Sequence, residues 1–136
     1  MKITTKGRYG LRLMLDLAGC YGGQPVALKE IARRQDISEK YLEQIIQQLN
    51  RAGLISSVRG AHGGYSLSRS PQDISVGDIL RSVEVPLAPV ECADDIACER
   101  SGSCAALPIW KEIKEAVEQV VDHRTLADLL PASDTE

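Results

Sequence analysis

The tightest constraint in this sequence is a pair of short amphipathic helices joined by a narrow turn and followed at once by a glycine-rich hairpin. Residues 28–35 (LKEIARRQ) put Leu28, Ile31 and Ala32 on one side of a helix and charge on the other. Asp36-Ile37 makes the turn. Ser38 has a good N-cap side chain, and Glu39 suits the first turn of the next helix. That helix, 39–52, groups Leu42, Ile45, Ile46 and Leu49 on one face and Lys40, Glu43, Gln44, Gln47 and Arg51 on the other, with Gly53 as its stop. Residues 54–58 (LISSV) read as a strand, 59–64 (RGAHGG) as a turn, and 65–69 (YSLSR) alternate like a returning strand. The expected fold is mainly α, a winged helix-turn-helix. Ala32 is small where the two helices cross, and Ile37 is apolar just before the second.

This architecture places a polar helix face where it can enter a major groove. Gln44 and Gln47 suit base edges, adenine especially, whereas Lys40 and Arg51 suit phosphates, which position a protein without reading sequence. Glu43 is tolerable near DNA only if it accepts from cytosine N4 or turns away. Ser38 and Tyr41, at the start of the helix, complete the expected DNA-facing set. In the wing, Gly60, Gly63 and Gly64 permit a sharp turn and a close approach, and Arg59 suits a minor groove or a phosphate. His62 reads equally well as a backbone contact or a solvated side chain. The plain alternative for the whole hairpin is a solvated loop with a stray arginine, and the complete element order disfavours it.

The flanks are helical. Residues 7–21 carry Leu11, Leu13, Met14, Leu15, Leu17, Ala18 and Cys20 at helical spacing, ended by Tyr21-Gly22-Gly23-Gln24-Pro25. Residues 76–83 suggest a short helix. The stretch 86–105 has no clear period. A long helix runs from Leu107, with Ile109, Trp110, Ile113, Ala116, Val117, Val120 and Val121, and Leu126, Leu129 and Leu130 form a short last one. The expected division is a DNA-binding domain over 1–83, a cysteine-containing loop over 84–106, and a dimerisation helix with a tail over 107–136.

Net charge is −3, which by itself argues against a nucleic-acid partner. Its distribution does not: residues 1–80 hold 11 Lys and Arg against 7 Asp and Glu, and residues 81–136 hold 5 against 12. A basic first part and an acidic second part fit a DNA-facing portion and a separate regulatory portion. No apolar run approaches the ~20 residues of a membrane span, and the N-terminal residues lack the apolar core of a secretory signal, so the expected compartment is the cytoplasm. Cys92, Cys98 and Cys104 are evenly spaced with five residues between neighbours. In a reducing compartment such a cluster more often binds metal or senses redox state than forms structural disulfides. Cys20, on the apolar face of the first helix, reads as core packing.

Residues 1–12 (MKITTKGRYGLR), Tyr41-Leu42-Glu43-Gln44 and residues 54–65 (LISSVRGAHGGY), with Val76-Gly77-Asp78-Ile79-Leu80, the three cysteines and Trp110, closely resemble the IscR/NsrR regulators of bacteria, the Rrf-two family. The cysteine spacing looks most like the IscR type. The resemblance implies a homodimer whose long helix, near 106–123, crosses its partner, and Ile109, Trp110, Ile113 and Val117 do need a cover. It also implies that Cys92, Cys98 and Cys104 hold a 2Fe–2S cluster, which takes four ligands as a rule. The IscR-type fourth ligand, a His three residues after the last Cys, is replaced here by Leu107, and the NsrR-type Asp is replaced by Arg8. Glu43 and the loop carboxylates Glu91, Asp94, Asp95 and Glu99 are the leading substitutes, ahead of water or a small thiol, with His62 and His123 last. In the resembling proteins, Glu43 is tied to a cluster-dependent choice between DNA sites. RNA polymerase at the promoter is a candidate partner beside the operator.

Zinc or reversible thiol chemistry would equally use the three cysteines. A protein of another class, for electron transfer or cluster delivery, would leave the wing and the glutamines unexplained. An enzyme is disfavoured: there are two His, no nucleophile–base constellation, and a glycine run that sits between strands rather than before a helix.

Overall fold

In the computed structural model, residues 2–94 and 102–131 are described. Eight main elements follow in order: α1 (Thr5–Gly19), α2 (Leu28–Gln35), α3 (Glu39–Arg51), β1 (Ile55–Val58), β2 (Gly64–Leu67), α4 (Val76–Ser82), α5 (Leu107–Asp122) and α6 (Leu126–Leu129). Short 3₁₀ turns at Pro71–Asp73 and Glu91–Asp94 complete the path. This is the mainly helical winged helix-turn-helix expected from the sequence. No helix among the described residues is long and apolar enough to cross a membrane.

The core forms around α1. Its Leu13 and Met14 are fully buried and Leu17 nearly so, and they meet Ile31 of α2, Leu42, Ile45 and Leu49 of α3, Ile79 of α4 and Leu126 of α6 in one cluster. Burying an aliphatic side chain of this kind contributes about 1.5–3 kcal/mol. The helix begins two residues earlier than its apolar spacing suggests, because the Thr4 side chain accepts from the Gly7 amide at 3.1 Å and caps it. Cys20 is the C-cap of α1, and its half-buried side chain packs against the core, as its place on the apolar face suggests.

Two features of the packing lie outside the helical pattern. The segment after α4 does not run over the surface: Val85 and Leu87 join the core, and a Cβ on Gly7 would strike Val85. The wing also has a third contributor. Val26, in the α1–α2 connector, exchanges two backbone hydrogen bonds with Tyr65, both 2.8 Å. β1 and β2 pair antiparallel from Ile55–Leu67 to Val58–Gly64, so the Val26 bridge lies on the outer side of β2.

α4 and α6 start side by side. Ser75 and Asp78 close a capping box at the first, Thr125 and Asp128 at the second, and Val76 and Leu126 donate across to Arg124 and Ile74 at 2.8 and 3.0 Å. Beside them Arg81 of α4 grips Asp122 at the end of α5 with two hydrogen bonds, 2.6 and 3.0 Å.

Two outcomes are expected. A Cβ on Gly64 would overlap the Val26 backbone, which cannot swing aside, so Gly64→Ala should cost about 1–3 kcal/mol in denaturant unfolding and weaken the wing. The Arg81 guanidinium holds the Asp122 carboxyl below its ordinary range. The pair's stabilisation is therefore present at neutral pH and lost as pH falls through that lowered value. Both groups are more than a third exposed, so solvent should keep the effect below about 1 kcal/mol. The difference in melting temperature between wild type and Arg81→Ala should shrink in acid and in high salt.

Candidate nucleic-acid interface

The second helix of the helix-turn-helix is set by its two ends. At the first, α2 closes on Asp36, which adopts a left-handed conformation (φ 54°, ψ 49°) and donates its amide back to Ala32. Asp tolerates this backbone better than most residues, and the reversal drops Ile37 into the core at 7% exposure. Ser38 then caps α3, accepting from the Tyr41 amide at 3.2 Å. At the far end, Gly53 (φ 78°) turns the chain into β1.

Between these ends α3 is sharply two-sided. Leu42, Ile45, Ile46 and Leu49 are 0–3% exposed. Ser38, Lys40, Glu43, Gln44, Gln47 and Arg51 are all exposed. Every polar side chain expected on the reading face is thus on one exposed stripe. The two glutamines offer both donor and acceptor, and the two cations flank them. Glu43 lies on the same stripe with no hydrogen-bond or ion-pair partner among the described residues.

Tyr41 behaves differently from its neighbours. It is half-buried, its ring edge-on to Tyr9 of α1 with centroids 5.7 Å apart and planes at 75°. In the wing, Arg59, Gly60 and His62 are exposed between β1 and β2, and Gly63 is half-buried. A concave surface with a volume of about 500 Å³ lies at the wing base, lined by His62 and Gly63 together with Gln24 and Pro25 of the connector.

The cysteine region is only partly within the described residues. Cys98, Asp95 and Glu99 fall outside them. Cys92 lies on the 3₁₀ turn Glu91–Asp94, which packs on α5, and its side chain is outside the described residues. Cys104 is free, half-buried, and just ahead of α5. The two ends of the cysteine loop therefore converge on one helix. Among the described residues no three His, Cys, Asp or Glu side chains already form a metal-binding group. His123 caps the other end of α5, where its Nδ1 lies 2.8 Å from the Gln119 carbonyl.

The apolar pattern left one group of side chains unread. Tyr9, Arg12 and Asp16 recur at three- and four-residue spacing on α1 and reach across to α2 and α3. Arg12 donates through Nε to Gln35 Oε1 at 3.1 Å and through its guanidinium to the Gln35 carbonyl, and lies over the Tyr9 ring at 5.2 Å. Asp16, with its side chain only 4% exposed, accepts from Arg34 at 2.6 Å and Gln35 at 2.9 Å. The available signal was the recurrence of Tyr9, Arg12 and Asp16 at helical spacing along one edge of α1.

Because Asp36 is left-handed, Asp36→Gly should be neutral or stabilise by about 0.5 kcal/mol, while Asp36→Val, a β-branched residue in that conformation, should cost about 1–2 kcal/mol. Urea unfolding midpoints at constant slope would read both.

The family model described as "Rrf2: Iron-dependent Transcriptional regulator" matches residues 3–132. The HTH-type transcriptional regulator CymR of Bacillus subtilis is 46% identical over 136 residues, spanning all of this chain and 94% of the relative. The solved structure of CymR, the global cysteine regulator of B. subtilis, superposes with a TM-score of 0.83 at 43% identity, covering 98% of this chain and 99% of that one. That of T. potens IscR gives 0.78 at 45% identity, covering 95% and 85%. These relatives are regulators and not enzymes. The chain belongs to the Rrf2 family of winged-helix transcriptional regulators.

Proposed function

We propose that the protein is a dimeric DNA-binding repressor or dual regulator whose affinity or choice of site is set by an iron–sulfur cluster on Cys92, Cys98 and Cys104. The observation that carries the DNA part is the exposed stripe of α3 backed by a fully buried face. Gln44 and Gln47 read base edges. Ser38, Lys40, Tyr41 and Arg51 fix the helix on the backbone, and Arg59, Gly60, His62 and Gly63 of the wing reach the adjacent groove. Glu43 discriminates between sites. On this reading residues 1–83 bind DNA, 84–106 carry the sensor, and 107–136 join two copies.

Dimerisation is supported by α5. Among the described residues none of this helix is buried, and Ile109 and Val120 are 47% and 60% exposed. Val117 and Val121 pack on the core of their own chain. The rest of the apolar stripe, with Trp110 and Ile113, is what a second copy would cover.

For the cluster, the donor chemistry fits. Thiolates are the usual ligands of 2Fe–2S centres; the turn that carries Cys92 packs on α5, and Cys104 lies just ahead of that helix. Glu43 or a loop carboxylate serves as the fourth ligand, since Leu107 stands in the place of a His. A bound cluster would supply an oxidisable, oxygen-labile charged centre. The similarity to CymR, a cysteine regulator, favours a second reading in which the same thiols sense redox or cysteine status without iron. Either protein works in the cytoplasm, with RNA polymerase at the promoter as a further partner.

Anaerobic purification followed by iron and sulfide analysis, absorption and Mössbauer spectra separates the two. A 2Fe–2S spectrum lost in Cys92→Ser, Cys98→Ser and Cys104→Ser supports the first, whereas iron-free protein whose DNA binding responds to thiol oxidation supports the second. In either case Lys40→Ala and Arg51→Ala should weaken all duplexes alike and flatten the salt dependence of log affinity by about one unit each.

A further inference from the structure

Residues that meet the DNA need a fixed platform, and one turn of α3 has a support of a different kind from the apolar core. Tyr41 is the third residue of α3. Its amide is the one that Ser38 caps, and its ring rests edge-on against Tyr9. Tyr9 in turn lies under the Arg12 guanidinium, and Arg12 is anchored to both the side chain and the carbonyl of Gln35. Gln35 ends α2, so the Arg12 cation satisfies a carbonyl at the negative end of that helix. The nitrogen of the same Gln35 side-chain amide donates to Asp16, which also accepts from Arg34.

One edge of α1 therefore clamps the last turn of α2 and the first turn of α3, the two turns that flank Asp36 and Ile37. The buried leucines and isoleucines fix how deeply α3 sits. They constrain rotation of its N-terminal turn much less, because aliphatic contact is non-directional. An edge-to-face ring pair and a bidentate guanidinium are directional.

We infer that Tyr9 and Arg12 are positioning residues for recognition: acting through Tyr41 and Gln35, they set the angle at which the first turn of α3 is presented to DNA. This rests on the DNA-binding reading proposed above.

The test uses the full-length protein, a duplex selected from a random-sequence pool with the wild type, and a scrambled duplex of equal length. Tyr9→Ala should lose about threefold to tenfold in affinity for the selected duplex, the worth of one aromatic pair, while binding to the scrambled duplex, governed by phosphate contacts, stays within about twofold. Tyr9→Phe keeps the ring and should restore the wild-type ratio, since the Tyr9 hydroxyl has no hydrogen-bond partner among the described residues. Arg12→Lys keeps the charge but not the planar fork and should shift the ratio as Tyr9→Ala does. Circular dichroism and melting temperature establish which variants are folded.

A folded Tyr9→Ala with the wild-type ratio, or a Tyr9→Phe as impaired as Tyr9→Ala, overturns the inference. Should Tyr9→Ala not fold, Arg12→Lys decides: a reduced ratio supports the positioning role and an unchanged one overturns it. A wild type that enriches no sequence from the pool overturns the DNA-binding reading itself, and the inference with it.

Discussion

Every other part of the molecule leans on the buried stripe of α1. Leu13, Met14 and Leu17 touch solvent hardly at all, and α2, α3, α4, α6 and the wing strand β2 all pack on the helix that carries them. Truncating any one to alanine would open a cavity at the meeting point of several elements at once, a change that costs about 2–5 kcal/mol. The small residues of the same helix matter for the opposite reason. Gly7 and Gly10 lie where Val85 and Val83 come against α1, so the chain following α4 is drawn into the core. A recognition surface needs rigid backing more than it needs local propensity, and α1 supplies it for α3 from behind.

The two-sided surface of α3 and the convergence of the cysteine loop on α5 belong to one physical scheme. The first half of the chain gathers its apolar side chains into a single core, which Val85, Leu87 and Leu126 complete. The second half does not: α5 buries none of its own residues among those described and keeps large apolar side chains in solvent. The Arg81–Asp122 pair and the twin capping boxes of α4 and α6 tie that helix back to the first half. A disturbance at the start of α5 thus has a mechanical route to α4, and from there to α3, which packs on it. This route is spatial adjacency, and coupling along it is a matter for measurement.

Much of this was legible in the residues. The bounds of α2 came from its apolar period and from the N-cap residue Ser38 that opens the next helix only three residues after it ends. α3, β1, α4 and α5 fell within a residue or two of the pattern for similar reasons. The exposed stripe of α3 was readable because its hydrophobic complement is so regular. The Tyr9–Arg12–Asp16 edge was not. A polar residue on an apolar helix gives no hint of its partners when those are 19 to 32 residues away in sequence, as Gln35 and Tyr41 are. The Val26–Tyr65 bridge was hidden for a related reason: a single bridging residue between a proline and a helix has no periodicity to reveal. The iron–sulfur reading rests on spacing and resemblance, and Cys98 lies outside the described residues.

The Val26 bridge also governs what this architecture can tolerate as its sequence drifts. By ordinary expectation the connector between α1 and α2 is a surface loop, free to lengthen or shorten. Here it is threaded beside β2 at one residue, and a shift by one position would turn Val26, now 8% exposed, away from the core. Among the described residues no backbone hydrogen bond ties the hairpin tip from Arg59 to Gly63 to anything beyond its own turn. Length variation should therefore accumulate at the tip of the wing. The connector, held at Val26, should keep its length. The outer strand of the wing is thus held in place by a segment that belongs to neither the wing nor α3.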